Sequence, residues 1–147
     1  MAPTGQPRQT LLVVEDNDVA REGLVVILRQ QGYRVLPAAN GEEALEHLRA
    51  GPRPDLILLD MLMPVLDGWH FLGRLQREGP RPPVPVLITT GTILTREWAE
   101  AHACQGFLRK PVETGPLLQE VRRCLAGVRG QSPPADQPGG TGYSASA

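Results

Sequence analysis

The sequence contains little cysteine, few aromatic residues and a single lysine. Its 147 residues include two cysteines, and 4% of them are aromatic. Cys104 and Cys124 lie twenty residues apart and form no C-x-x-C pair. A disulfide framework or a zinc site is therefore not expected. We predict two reduced thiols in a cytoplasmic protein.

Long apolar runs and a strong charge of one sign are also missing. No run approaches the ~20 apolar residues of a membrane-spanning helix, and residues 1–10 lack the apolar segment of a secretory signal. The 15 Lys and Arg residues nearly balance the 16 Asp and Glu residues, giving a net charge of −1. The composition predicts a globular domain that contacts neither nucleic acid nor membrane.

Five short apolar runs predict five β-strands, at residues 11–14, 33–36, 56–59, 84–88 and 106–108. Three of the runs are continuous, which is typical of strands that are buried on both faces. Segments with helical spacing follow each run. The first predicted helix ends at Gly32. The second, third and fifth begin near Asn40, Gly68 and Thr114, and the fourth, which has the weakest pattern, spans about 95–103.

The alternation of strands and helices predicts an α/β fold with a parallel sheet and helices on both faces. We expect a flavodoxin-like, doubly wound (βα)5 domain with strand order 2-1-3-4-5. Its predicted range is 9–127. Residues 1–8 and the Pro/Gly/Ser-rich residues 128–147 are predicted to be flexible. No output domain is expected after Gly127.

Polar residues follow four of the predicted strands. Glu15 and Asp16 follow the first, Asp60 the third, Thr90 the fourth and Lys110 the fifth. Strands 1 and 3 are neighbours in the predicted order, so three carboxylates meet at one crevice. Their repulsion requires a cation, and Mg²⁺ suits oxygen ligands. A carboxylate, a hydroxyl, a lysine and Mg²⁺ together are equipped for phosphoryl transfer.

Four of these residues also have a simpler interpretation. Asp16 could cap the first helix, and Asp60 could be a turn residue before Pro64. Thr90 could merely end its strand, and Lys110 could be a solvated loop charge. Their joint occurrence at the carboxyl ends of the strands favours a shared site over four separate explanations.

These motifs resemble the receiver domain of bacterial response regulators, the phosphoacceptor part of two-component signalling. The matching segments are residues 11–17, 56–68, 85–91 and 107–111. They contain an acidic pair, a D-x-x-M-P-x-x-D-G block and a K-P dipeptide, in the family's order. The likeness covers about residues 9–127, and the combination of motifs is highly specific.

The resemblance implies that Asp60 is phosphorylated by a histidine kinase or a phosphotransfer protein in a Mg²⁺-dependent reaction. It implies four metal ligands, namely Glu15, Asp16, Asp60 and the backbone carbonyl of Leu62. It assigns the phosphoryl contacts and the switch to Thr90, Lys110 and Phe107. It gives structural roles to Pro64, Gly68 and Pro111, with Lys110–Pro111 as the family's cis peptide.

The implied output is a change in protein–protein interactions. The phosphorylated domain would bind a downstream protein, pass the phosphoryl group on, or form a phosphorylation-dependent homodimer. Its chemistry would be limited to its own phosphorylation and dephosphorylation. Two departures from the family pattern stand out. Glu15 replaces the commoner Asp, and Phe107 lacks a hydroxyl, so switching must rest on packing.

Three alternatives compete with this interpretation. An aspartate-nucleophile phosphatase generally needs a second aspartate where this chain has Leu62. A flavodoxin needs a Ser/Thr/Gly-rich phosphate loop where residues 15–18 are mostly acidic. A non-phosphorylated receiver-like scaffold usually lacks one of the key residues, and none is missing here.

Overall fold

A computed structural model of the chain describes residues 8–62, 67–91 and 94–129. Five strands alternate with five helices in these ranges. The strands are β1 (Thr10–Val14), β2 (Arg34–Ala38), β3 (Leu56–Asp60), β4 (Val86–Thr90) and β5 (Gly106–Arg109). The helices are α1 (Asp18–Gln30), α2 (Gly41–Ala50), α3 (Gly68–Glu78), α4 (Arg96–Ala101) and α5 (Thr114–Arg129). Pro64 and most of the two predicted flexible segments lie outside the described residues.

The five strands form one parallel sheet in the order β2-β1-β3-β4-β5. This confirms the predicted flavodoxin-like topology. β1 and β3 are neighbours, with Val14 opposite Leu59, although they are separated by β2 in the chain. The strand order therefore reverses at β1, and the carboxyl ends of β1 and β3 open onto one crevice.

Two hydrophobic clusters cover the two faces of the sheet. On one face, Val25 and Leu28 of α1 and Val121 of α5 pack with alternate residues of the strands. On the other, Ala44 of α2 and Phe71 of α3 pack with the intervening strand residues. Because both faces are buried, the central strands carry continuous apolar runs. The sheet edge carrying the polar residues is held between these two cores.

Side-chain caps begin the first two helices. Asn17 Oδ1 accepts a hydrogen bond from Ala20 N at 2.8 Å, so Asn17 caps α1. The simpler interpretation of Asp16 as that cap is therefore wrong. At α2, Asn40 Oδ1 accepts from Glu43 N at 2.9 Å. The Glu43 carboxylate accepts from the N–H of Ala39, the residue before the cap, so the contact is that of a capping box shifted by one residue.

Prolines moved the boundaries of two strands from those predicted. Pro85 cannot donate to the ladder, so β4 begins at Val86 rather than at residue 84. β2 continues through Pro37 to Ala38, two residues beyond the predicted end. This proline is tolerated because β2 is an edge strand, whose second side has no neighbouring strand in the sheet.

Helix α4 is shorter than predicted. Thr95 is its N-cap and accepts a hydrogen bond from Trp98 N at 3.1 Å. The helix ends at Ala101, and Ala103 has a φ of 62°, a left-handed conformation that cannot continue a helix. The prediction of residues 95–103 therefore counted the cap and the terminating turn as helix.

Both tryptophans lie in an aromatic group that joins α3 to α4. The rings of Trp69 and Trp98 meet edge to face, with centroids 4.8 Å apart and an interplanar angle of 80°. The His102 ring stacks on the ring of Trp98, with centroids 3.9 Å apart. Trp69 is 45% exposed, so this contact forms part of the protein surface.

The cysteines are free and buried, in agreement with the expected thiols. Burial raises the pKa of both Cys104 and Cys124 to about 11, which keeps them protonated and unreactive near neutral pH. None of the helices in the described part of the chain is long and apolar enough to cross a bilayer.

Candidate functional site

Three carboxylates meet at the carboxyl edge of the sheet. Glu15 follows β1 directly and Asp60 is the last residue of β3, and both are at most 3% exposed. Asp16, next in the chain, is exposed. One carboxylate oxygen from each residue lies within 4.8 Å of the other two. The structure thus brings together the acidic residues that the sequence predicted to converge.

Lys110 supplies a positive charge to this acidic group. Its Nζ lies 3.1 Å from Glu15 Oε1 and 3.3 Å from Asp60 Oδ1. The residue follows β5, and its backbone N–H donates to the carbonyl oxygen of Thr90 at 2.8 Å. The Lys110–Pro111 peptide is cis, as the resemblance implied. Lys110 is therefore ion-paired with the Glu15 and Asp60 carboxylates and is not a free loop charge.

One ammonium does not balance three carboxylates. Burial raises the pKa of Asp60, with contributions from the charge of Glu15 and a hydrogen bond with Asp16, to about 7. Lys110 and the N–H of Leu62 act in the opposite direction. The ionised form of Asp60 is thus disfavoured until more positive charge is available.

The donor set fits a small divalent cation. All three side chains offer hard carboxylate oxygens, and the exposed position of Asp16 leaves room for the water ligands that Mg²⁺ retains. A cation among these oxygens would relieve the excess negative charge that raises the pKa of Asp60. The residues present therefore fit Mg²⁺.

Backbone groups hold the loops around the acids. Asn17 N donates to Glu15 Oε2, and Leu62 N donates to Asp60 Oδ1, both at 3.2 Å. Gly68 N donates to the Met61 carbonyl at 3.1 Å. A Cβ on Gly68 would lie 2.7 Å from Met61 Cα, so only glycine lets the start of α3 approach the end of β3 this closely.

Thr90 and Phe107, the predicted switch residues, lie on neighbouring strands. Thr90 ends β4 and is buried, one residue beyond Thr89, which pairs with Asp60. Phe107 is buried in β5 opposite Ile88. The guanidinium carbons of Arg96 and Arg109 lie 5.9 and 5.4 Å from the centre of the Phe107 ring, which is within cation–π range.

Glu120, a buried acid on α5, is not among the residues predicted from the sequence. Its Oε2 accepts hydrogen bonds from Phe107 N at 3.0 Å, Arg96 Nη1 at 3.2 Å and Arg123 Nη2 at 2.8 Å. A Cβ on Gly106 would lie 3.2 Å from the same oxygen. Glu120 thus connects α4, β5 and α5. Its place within the apolar stripe of α5, next to Val121 and Cys124, was the available sequence clue.

An apolar groove of about 510 Å³ leads away from the acids, between α1 and the segment after β5. Glu15 and Lys110 lie at its polar end, and Leu24, Ile27 and Val112 contribute to its apolar wall. Sequence patterns did not predict this groove, because its wall combines two segments that are about 90 residues apart in the chain.

The likeness to known proteins defines the class of this domain. Residues 11–122 match the response regulator receiver domain, and the chain belongs to that family. It is a phosphoacceptor response regulator domain, a signalling module of two-component systems.

Among curated relatives, PilH of Pseudomonas aeruginosa is 29% identical over 119 residues, covering 80% of this chain and 98% of PilH. SphR of Synechococcus elongatus, an alkaline phosphatase synthesis transcriptional regulatory protein, is 32% identical over 144 residues, covering 92% of this chain and 55% of SphR. The chain spans about half the length of SphR and also 51% of AfsQ1 of Streptomyces coelicolor.

Two solved structures resemble the fold closely. The chemotaxis response regulator CheY4 of Vibrio cholerae superposes with a TM-score of 0.73 at 29% identity, covering 81% of this chain and all of CheY4. The receiver domain of a sensor histidine kinase from P. aeruginosa gives a TM-score of 0.71 at 32% identity, covering 82% of this chain and 99% of that domain. The latter structure has a magnesium ion coordinated in its active site cleft.

Proposed function

We propose that Asp60 accepts a phosphoryl group from a histidine kinase or a phosphotransfer protein. The observation that carries this proposal is the buried Asp60 carboxylate, which lies among two further carboxylates and 3.3 Å from Lys110 Nζ. An Asp60 oxygen forms the new bond to phosphorus. The bond from phosphorus to the donor's imidazole nitrogen breaks, and that nitrogen keeps the electron pair.

Glu15, Asp16, Asp60 and the carbonyl of Leu62 are the residues that would hold Mg²⁺. When bound, the ion supplies positive charge to the phosphoryl oxygens. The magnesium ion in the related receiver domain of P. aeruginosa supports this proposal, as does the cluster of carboxylates in this chain.

Lys110 and Thr90 are proposed to bind the phosphoryl group. The flexible stem of Lys110 allows its ammonium to follow a phosphoryl oxygen, while the Thr90 hydroxyl donates a hydrogen bond to another. Movement at Thr90 would then alter the packing of Phe107, because β4 and β5 are neighbouring strands, with Phe107 opposite Ile88, two residues before Thr90. Phosphorylation would thereby shift the population of molecules between two conformations of the surface formed by α4, β5 and α5.

We propose that this surface change controls binding to a downstream protein, relay of the phosphoryl group, or formation of a homodimer. The chemistry of the domain itself is confined to its own phosphorylation and dephosphorylation. A cytoplasmic location is proposed as well. It is supported by the free, buried thiols of Cys104 and Cys124, which fit a reducing compartment.

Phosphorylation of Asp60 is tested by intact-mass measurement after incubation with acetyl phosphate and Mg²⁺. The wild-type protein is expected to gain one phosphoryl group, which hydroxylamine removes because it is an acyl phosphate. Asp60→Asn is expected to gain none. Asp55→Asn is the matched control, since Asp55 lies just before the other end of β3, where it accepts a hydrogen bond from Thr10 N at 2.8 Å. This variant should be labelled like the wild type.

Undiminished labelling of Asp60→Asn, or an adduct resistant to hydroxylamine, would contradict Asp60 as the acceptor. A wild-type protein that accepts no phosphoryl group from acetyl phosphate, and none from a panel of histidine kinases, would favour the receiver-like scaffold instead.

A further inference from the structure

We propose that Arg21 is a positioning residue that sets the affinity of the acidic pair for Mg²⁺. The proposal rests on the metal site of the proposed function. Arg21 lies in the first turns of α1, and its side chain is 20% exposed. Its guanidinium is directed back at the loop that carries Glu15 and Asp16, and not outward into solvent.

The contacts of Arg21 are with the backbone of the acidic pair. Its Nη1 donates to the Glu15 carbonyl oxygen at 2.8 Å and approaches the Asp16 carbonyl oxygen at 3.5 Å. Its Nη2 pairs with Asp18 Oδ1 at 2.6 Å. One planar guanidinium therefore contacts three acidic residues around the start of α1, namely Glu15, Asp16 and Asp18, and this requires a fork of several donors.

The position of Glu15 is thereby fixed from both sides of its backbone. Its N–H donates to the Ala38 carbonyl of β2 at 3.0 Å, and its carbonyl accepts from Arg21. Residues 15–17 lie between β1 and α1 and so continue neither the strand nor the helix. In this loop the Arg21 guanidinium supplies a hydrogen bond to the backbone that a strand or helix would otherwise supply. It thereby orients the Glu15 and Asp16 carboxylates towards the crevice.

The charge of Arg21 and its contacts with the loop predict opposite effects on metal affinity when the arginine is removed. A positive charge beside the acids repels a cation, so charge alone predicts tighter metal binding once the arginine is removed. If Arg21 orients the ligands, its removal weakens binding, and residues that orient metal ligands typically change affinity about 10- to 100-fold. The sign of the change therefore separates the two explanations.

The test measures Mn²⁺ binding to the metal-free protein, from the loss of the electron paramagnetic resonance signal of free Mn²⁺, followed by competition with Mg²⁺. Arg21→Met and Arg21→Lys are each expected to weaken the binding of both ions about 10-fold or more. Lysine retains the positive charge but lacks the planar set of donors, so weaker metal binding by Arg21→Lys would identify ligand geometry as the cause. Far-UV circular dichroism and thermal unfolding establish that each variant is folded.

Arg29→Met is the matched control. Arg29 lies on the same helix, roughly 12 Å farther along at 1.5 Å per residue, and its Nη2 also donates to a backbone carbonyl, that of Val35, at 3.1 Å. The variant loses the same charge and a similar hydrogen bond. Because this charge is about a screening length from the acids, metal affinity should stay within about twofold of the wild-type value.

The inference is overturned if Arg21→Met binds Mn²⁺ as tightly as the wild type or more tightly, or if Arg21→Lys retains wild-type affinity. Should Arg21→Met fail to fold, Arg21→Lys decides by the same criterion. A wild-type protein that binds neither ion would overturn the proposed metal site, and this inference with it. Normal wild-type binding with unaltered Arg21 variants would overturn the inference alone.

Discussion

Replacing Glu120 with alanine is expected to lower the free energy of unfolding by about 3 kcal/mol. The Glu120 carboxylate is buried, and it accepts hydrogen bonds from α4, from the backbone of β5 and from α5. Its loss leaves the N–H of Phe107 buried without this acceptor. Arg96 and Arg123 are about half exposed, so their charges can be rehydrated, which keeps the loss near the lower end of the range for buried ion pairs.

The same contacts predict how stability depends on pH. Burial acts to raise the pKa of Glu120, but the hydrogen bonds from Arg123 and from Phe107 N outweigh it and lower the pKa from 4.5 to about 2. The folded protein therefore binds this proton less tightly than the unfolded chain. The stabilising contribution of Glu120 is present above about pH 4.5 and is lost as the pH falls towards 2.

Urea unfolding at about pH 6 and pH 3 measures this contribution. Glu120→Gln should lose less stability between the two pH values than the wild type, because it has no carboxyl group to protonate at this position. Glu22→Gln, at an exposed position on α1, is the control and should follow the wild type. Equal losses in Glu120→Gln and the wild type would show that Glu120 does not carry the acid sensitivity.

In the absence of divalent metal, Asp60→Asn is expected to be more stable than the wild type by about 2 kcal/mol. Burial and the neighbouring acids raise the pKa of Asp60 from 3.8 to about 7, so the ionised carboxylate is unfavourable in the folded state. Asparagine removes this charge but also the ion pair with Lys110. The net gain is therefore smaller than the roughly 4 kcal/mol that corresponds to the whole change in pKa.

The sign of the pH dependence follows from the raised pKa. Folded protein binds the Asp60 proton more tightly than the unfolded chain, so wild-type stability falls as the pH rises from about 4 to about 7. The advantage of Asp60→Asn should accordingly be larger at about pH 8 than at about pH 5.

Thermal unfolding in EDTA, and again in Mg²⁺, measures the effect of Asp60→Asn. In EDTA the midpoint of the variant should rise by roughly 5–10 °C. Added Mg²⁺ should stabilise the wild type more than the variant, which lacks one carboxylate ligand. Asp55→Asn keeps the three clustered acids and should show neither effect. A lower midpoint for Asp60→Asn in EDTA would contradict the account of charge repulsion.

The sheet and the acidic cluster could be predicted because both follow from local patterns. Alternating apolar runs and helical segments leave few topologies for a parallel sheet. Residues that follow parallel strands, such as Glu15 and Asp60, must then meet at one edge. The strand boundaries were less accurate where prolines interrupted the apolar runs, since Pro85 is apolar yet has no N–H to donate to the ladder.

Long polar side chains account for most of what the sequence did not predict. Arg96 reaches Glu120 across 24 positions of the chain, and no periodic pattern records such a contact. The relation of Arg21 to the acids is local, but it joins a helix to loop carbonyls, and carbonyl groups are present at every residue. Composition and spacing therefore identify charged ligands more readily than they identify the residues that hold those ligands in place.

The contact between Trp69 and Trp98 gives the protein an optical property. These are the two tryptophans of the chain, so intrinsic indole emission arises where α3 meets α4. Trp98 lies two residues after Arg96, which is tied to Glu120 and to the carbonyl of Phe107. A displacement of α4 would separate the two rings and change the emission spectrum. The domain thus carries its own fluorophore at the helix adjoining Phe107, its proposed switch residue, and the state of that helix can be followed without an attached dye.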